Sequence, residues 1–158
     1  MTHVHQVVET GRHEGWRSVK VSLSRYDDPR LRSLPQETKF LYIRLLTGPE
    51  TLSIPGVVVT NRTALALALD WTVEEIEKRV EALRNAGLLE VDWEAGVLFL
   101  DDPLNEEFNL PQSISTVKRW RNELLDAPNC ALMEKVRGRL AEILAAKRKP
   151  AWLAVLTG

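Results

Sequence analysis

Cysteine is nearly missing from this chain. Cys130 stands alone among 158 residues, so neither an intramolecular disulfide nor a cysteine-cluster zinc site can form. Long apolar runs are missing as well. The longest are a handful of residues, against the roughly 20 that a membrane helix requires, so no membrane span is expected. Eight Gly and eight Pro exclude collagen-like and low-complexity chains. Histidine is confined to His3, His5 and His13, which leaves none in the body of the chain to act as a general base. Cys130 sits at a predicted helix start, but it has no body histidine to activate it. A Gly-rich phosphate loop, a Walker lysine and paired carboxylates at a catalytic spacing are all absent. No enzymatic activity, no cofactor and no metal are therefore expected. His3, His5, Glu9, Arg12 and Glu14 interrupt any leader-like apolar region, and the expected location is a reducing cytoplasm.

What is present suits one globular domain with an appendage: 44% hydrophobic and 27% charged side chains. The net charge of −1 conceals a segregation along the chain. Residues 1–48 hold eight Lys/Arg against five Asp/Glu, residues 49–111 four against thirteen, and residues 112–158 nine against four. An acidic middle thus lies between two basic flanks, and a polyanion would be drawn to the flanks.

Residues 1–18 show no period and are read as a loose arm. Val19, Val21 and Leu23 alternate with polar residues, which predicts a strand ended by Asp27-Asp28-Pro29. Ser33 is a candidate N-cap with Gln36 at the capping-box position, opening a helix near 34–47 that stops at Gly48-Pro49. Phe40, Leu41, Tyr42, Ile43, Leu45 and Leu46 make that helix apolar nearly all round, as for a central helix. A short β-branched stretch runs from Ile54 to Val59, broken by Pro55-Gly56. Ala64 to Leu69 alternates like a strand, but Ala and Leu are strong helix formers and Thr60 or Asn61 supplies a cap, so a helix near 61–70 is predicted. Thr72 and Glu75 form a capping box for a helix near 72–86, with Val73, Ile76, Val80 and Leu83 on one face and Gly87 as its C-terminal stop. Leu88–Val91 and Val97–Leu100 read as a hairpin about Trp93–Gly96. The predicted fold class is mainly α with a small β-hairpin (α+β). This order of elements is that of a winged helix-turn-helix over residues 19–102, followed by a linker at 103–115 and C-terminal helices at 116–158.

Asp28-Pro29, Leu34-Pro35-Gln36-Glu37-Thr38-Lys39-Phe40-Leu41-Tyr42 and Leu46-Thr47-Gly48-Pro49 resemble the opening of the winged-helix domain of phage replication proteins. Trp71-Thr72-Val73-Glu74-Glu75-Ile76 through Leu83 and Ala86-Gly87-Leu88-Leu89 are similar to that domain's third helix and first wing strand. The likeness extends to the N-terminal domain of DnaD-like primosome and replisome-organiser proteins. It covers about residues 19–125, including Val117-Lys118-Arg119-Trp120. It implies a DNA-associated role in replication initiation, with a replication protein as a further partner through the acidic centre.

In such domains the third helix enters the major groove. Here its outward face centres on Lys78 and Asn85, flanked by Glu74, Glu75 and Glu81, which oppose a phosphate-lined groove. Glu74 and Glu75 suit the helix dipole, and Glu74 with Lys78 forms an i, i+4 pair, so the plain structural reading is favoured. The hairpin carries Asp92 and Glu94, with Asp101 and Asp102 beside it, and Trp93 at its tip either covers the hairpin or meets a partner. Beyond the linker, Ser115 or Thr116 caps a helix with Val117, Trp120 and Leu124 on one face and Lys118, Arg119 and Arg121 off it. Those cations suit phosphate contacts, which position without reading sequence; a solvated helix face is the competing reading. The candidate DNA contacts are Lys118, Arg119 and Arg121, with Lys78, Arg79 and Arg62 on the helix-turn-helix.

Asn129 opens the last predicted helix. Leu132, Met133, Val136, Leu140, Ile143 and Leu144 form an apolar stripe, and Trp152, Leu153, Val155 and Leu156 follow in an apolar tail. Such a stripe is most often core. With the winged helix ending near residue 102, two further apolar helices lack an obvious surface, and homo-oligomerisation through residues 129–156, including Trp152, is expected. The leading functional expectation is a non-enzymatic, DNA-associated protein of phage-type replication. The alternatives are an oligomerisation or adaptor module that never touches DNA, and a transcriptional regulator.

Overall fold

In the computed structural model, which describes residues 20–158, the first α-helix of the described residues begins where Asp28 meets Pro29. Pro29 fits the first turn of a helix and Asp28 accepts the Arg30 N–H at 2.9 Å, so a one-turn helix, α1 (Pro29–Arg32), forms here. The strand expected from Val19 is not found. Leu23–Asp27 is a 3-10 turn in which the Ser22 hydroxyl accepts the Ser24 N–H, and Val19 lies outside the described residues. Ser33 closes α1 instead of opening the next helix, and α2 (Gln36–Thr47) starts after Pro35 with no side-chain cap.

β1 (Val57–Val59) follows, then α3 (Arg62–Leu69) and α4 (Val73–Asn85). The strand-like alternation of Ala64–Leu69 is helical, as its composition requires: Asn61 Oδ1 accepts the Ala64 N–H at 2.8 Å, and Asp70 closes the helix in the left-handed region at φ 56°. The Thr72–Glu75 capping box is formed in both directions, at 2.9 and 3.1 Å. Gly87, at φ +78°, completes a Schellman motif in which Leu88 N–H donates to Leu83 O and Gly87 N–H to Arg84 O, both at 3.0 Å. β2 (Glu90–Asp92) and β3 (Val97–Phe99) form the hairpin.

The sheet has three strands in the order β1-β3-β2, all antiparallel, so β1 joins the expected two-stranded hairpin. Val58 and Val91 both face Leu98, and Val57 faces Phe99. Gly56 makes this possible. Its φ is +80°, its carbonyl accepts the Leu100 N–H at 2.8 Å, and a Cβ there would lie 2.0 Å from the Leu100 carbonyl oxygen. The order α2-β1-α3-α4-β2-β3 is the connectivity expected of a winged helix-turn-helix.

Alternate residues of this sheet enter two different cores. Val58, Leu98 and Leu100 pack with Leu41, Leu45, Ile76 and Leu83 of the helical side. Val57, Val97 and Phe99 pack on the opposite side with α5 (Ile114–Asp126), α6 (Ala131–Ala146) and α7 (Pro150–Thr157). The unbroken apolar run Val97–Leu100 is the signature of a strand covered on both faces. The expected linker is likewise packed: 3-10 turns at Asp102–Asn105 and Glu107–Asn109 bury Pro103 and Leu104, and Pro111 is buried as well.

These contacts relocate the expected oligomerisation residues. Met133, Val136, Leu140, Ile143 and Leu144 are buried in the chain's own second core, with Leu132 and Trp152 half-buried at its edge. A stripe covered by its own sheet needs no second copy to cover it. The apolar tail is helix α7, packed with α5 and α6. The caps differ too: Ser113 rather than Ser115 or Thr116 precedes α5, and Cys130 rather than Asn129 precedes α6, its Sγ accepting the Met133 N–H at 3.4 Å. Among the described residues no helix is long and apolar enough to cross a membrane.

Candidate nucleic-acid interface

The three-dimensional charge pattern departs from the linear one because the acidic middle and the basic flanks pair with each other. Lys135 meets Glu90 at 2.6 Å, Arg139 meets Asp101 at 2.9 Å, and Lys147 meets Glu107 at 3.4 Å. From the other flank, Arg30 holds Asp102 at 2.6 Å and Asp28 at 2.7 Å, and Arg25 reaches Glu106 at 3.3 Å. Arg30 also donates to the Gly87 carbonyl at 3.1 Å, tying α1 to the end of α4. The Arg30 side chain, through its hydrogen bonds, holds the Asp28 carboxyl below the usual carboxylate range.

Two of the three helix-turn-helix cations are engaged locally. Arg62 pairs with Glu77 at 2.8 Å and lies 5.5 Å from the centre of the Trp93 ring. Arg79 stacks 4.6 Å above Trp71. Lys78 is exposed, with Glu74 and Glu81 exposed beside it. Trp93 is half-buried against the helical core, so it covers the hairpin. At the wing, Glu94 is exposed and Asp92 Oδ1 accepts the Ala95 N–H at 2.9 Å. The face that conventionally reads bases is therefore rich in carboxylates, as its sequence indicates.

α5 is different. Val117, Trp120 and Leu124 are buried in the second core, which turns Lys118 and Arg119 fully outward and leaves Arg121 half-exposed. Among the described residues, none of these three cations has an acidic partner within ion-pair distance. The one carboxylate within the helix interior, Glu123, faces away from them. Its two oxygens accept the Ser53 N–H, each at 3.0 Å, and Oε2 accepts the Ile54 N–H at 3.4 Å. This charge-assisted clamp joins α5 to the loop before β1. Its role was not legible from sequence, since an acid at helical spacing from Arg119 reads as an ordinary i, i+4 partner.

A second feature escaped the linear reading. Leu67 of α3 is 85% exposed and Phe40 of α2 54% exposed, the latter in a helix expected to be central. Phe40 meets Trp71 edge-on at 6.0 Å. The strict Ala-Leu alternation could not show which leucine faces out; Leu65 is the buried one. Among the described residues no cluster of His, Cys, Asp and Glu could hold a metal ion; His3, His5 and His13 lie outside the described residues, as does the expected arm at 1–18. Comparison of the chain with protein-family models, with curated proteins and with solved structures returns no match.

Proposed function

We propose that this protein is a non-enzymatic winged-helix protein that holds DNA by its phosphates through Lys118, Arg119 and Arg121 of α5. The observation that carries this reading is that these three cations cluster on one helix without an acidic partner among the described residues, whereas nine of the other sixteen described Lys and Arg are held in ion pairs. Unpaired cations on a rigid, core-anchored helix gain most from meeting phosphates, because no internal ion pair must be broken first. The carboxylates of α4 and the wing repel the duplex and would keep the usual recognition helix out of the groove. Contacts of this kind position DNA without selecting sequence, which suits the replication-organiser role implied by the resemblance at residues 19–125. The acidic helix-turn-helix face would then remain open for a protein partner in replication. The adaptor reading draws support from exposed apolar side chains, Leu67 of α3 and Phe40 edge-on to Trp71.

Fluorescence anisotropy with generic duplex and single-stranded DNA, over a salt series, tests the reading. Replacing Lys118, Arg119 and Arg121 together by Ala should flatten the log-affinity against log-salt slope for duplex by about 2.7, at about 0.9 per phosphate contact. The combined Arg62→Ala, Lys78→Ala and Arg79→Ala variant should change the slope by less than about 1. Loss confined to the second variant would return DNA to the recognition helix, and no binding by the wild type would leave the adaptor reading.

A further inference from the structure

Arg119 belongs to a second structure besides the cationic face. Between the first turns of α5, the loop before β1 and the 3-10 turns after β3 lies a cavity of about 380 Å³. That volume is within the roughly 300–1,000 Å³ typical of small-molecule sites. Leu46, Leu52, Pro103 and Leu110 supply apolar wall, and Thr116 and Arg119, one helical turn apart, come from α5. Arg119 is exposed as well as lining, which puts it at the mouth. Lys20 also lines the cavity, and neither it nor Arg119 has an acidic partner among the described residues. The one lining carboxylate, Glu106, is held by Arg25 at 3.3 Å. The lining charges left without an acidic partner among the described residues, Lys20 and Arg119, are thus both positive.

Ser53 also lines the cavity, and its backbone N–H is clamped by Glu123, which fixes that part of the wall against α5.

We propose that this cavity binds a small organic anion, an apolar body ending in a carboxylate. Arg119 pairs with the carboxylate. At about 30 Å³ for a water-sized group, the space admits roughly a dozen non-hydrogen atoms. A guanidinium offers a carboxylate two parallel N–H donors, which accounts for the preference over a neutral isostere. Since Arg119 is also a proposed phosphate contact, the ligand and DNA compete for it; this linkage rests on the DNA-binding reading, whereas occupancy of the cavity does not.

Titration of the full chain with 2-naphthoate, its neutral isostere 2-naphthamide, and octanoate, followed by calorimetry and amide NMR shifts, tests the proposal. The expected result is saturable one-to-one binding of a carboxylate, with the amide at least about tenfold weaker. Arg119→Gln should abolish that preference, and its thermal melting confirms that it is folded. Equal binding of acid and amide, an unchanged preference in Arg119→Gln, or no carboxylate binding up to about 1 mM would overturn the proposal. The DNA anisotropy assay is run separately with and without 2-naphthoate. Failure to bind DNA removes only the linkage, while DNA binding indifferent to a bound carboxylate refutes the linkage directly.

Discussion

Replacing Leu140 by Ala separates two ways in which the C-terminal helices could be stabilised. Leu140 is 0% exposed and sits in a cluster with Val57, Val97, Phe99 and Trp120 of the same chain. The substitution removes three buried carbon atoms and leaves a cavity where α6 meets the sheet, a change that costs about 2–5 kcal/mol in well-packed cores. Taking about 3 kcal/mol, and about 2–4 °C per kcal/mol for a domain of this size, Tm should fall by about 6–12 °C. Because the packing partner is the chain's own sheet, the transition should be unimolecular. Wild type and variant should each melt at the same temperature across a hundredfold range of protein concentration. An interface between copies would behave otherwise, since mass action makes the Tm of an obligate dimer depend on concentration. Calorimetry and light scattering at low and high micromolar concentration decide the matter. A wild-type Tm that rises with concentration, together with a mass that halves in Leu140→Ala, would refute the assignment of this residue to an internal core.

Tyr42 is buried, its hydroxyl has no hydrogen-bond partner among the described residues, and burial raises its pKa. Tyr42→Phe removes an unsatisfied polar group and should stabilise the fold by about 1 kcal/mol in urea titration; a loss of that size would show that the hydroxyl is satisfied. Asp28 gives the acid-side prediction. Its folded pKa lies below the ordinary value of 3.8, chiefly through the Arg30 hydrogen bonds, so its contribution is present above pH 3.8 and is lost as pH falls through the lowered value. Asp28→Asn keeps an oxygen for the Arg30 N–H cap but not the charge. It should be less stable than wild type near neutrality, with the difference shrinking as pH drops below about 3.8, and a pH-independent difference would exclude the ion pair as its cause.

The local elements were legible in the sequence because their signals are local. The Thr72–Glu75 box, the Asn61 cap and the Gly87 stop each act within a few residues, and each is formed as read. Where two local solutions competed, the neighbourhood decided: Asp28-Pro29 captured the start that Ser33 offered, and Cys130 displaced Asn129 by one position. The mainly helical class with a small antiparallel sheet, and the acidity of α4, also follow from period and composition. Three matters depended on long-range contacts. Val97–Leu100 is apolar throughout, but only the tertiary structure shows that α5–α7 of the same chain cover the second face of its sheet. Leu67 and Leu65 are chemically identical, and the packing of α3 alone decides that one is exposed and the other buried. The charge segregation is real along the chain, yet Lys135, Arg139 and Lys147 fold onto the acids of the middle segment. Coulomb attraction acts through space rather than along sequence, so which cations remain unpaired is a property of the fold. α5 is where it left three of them.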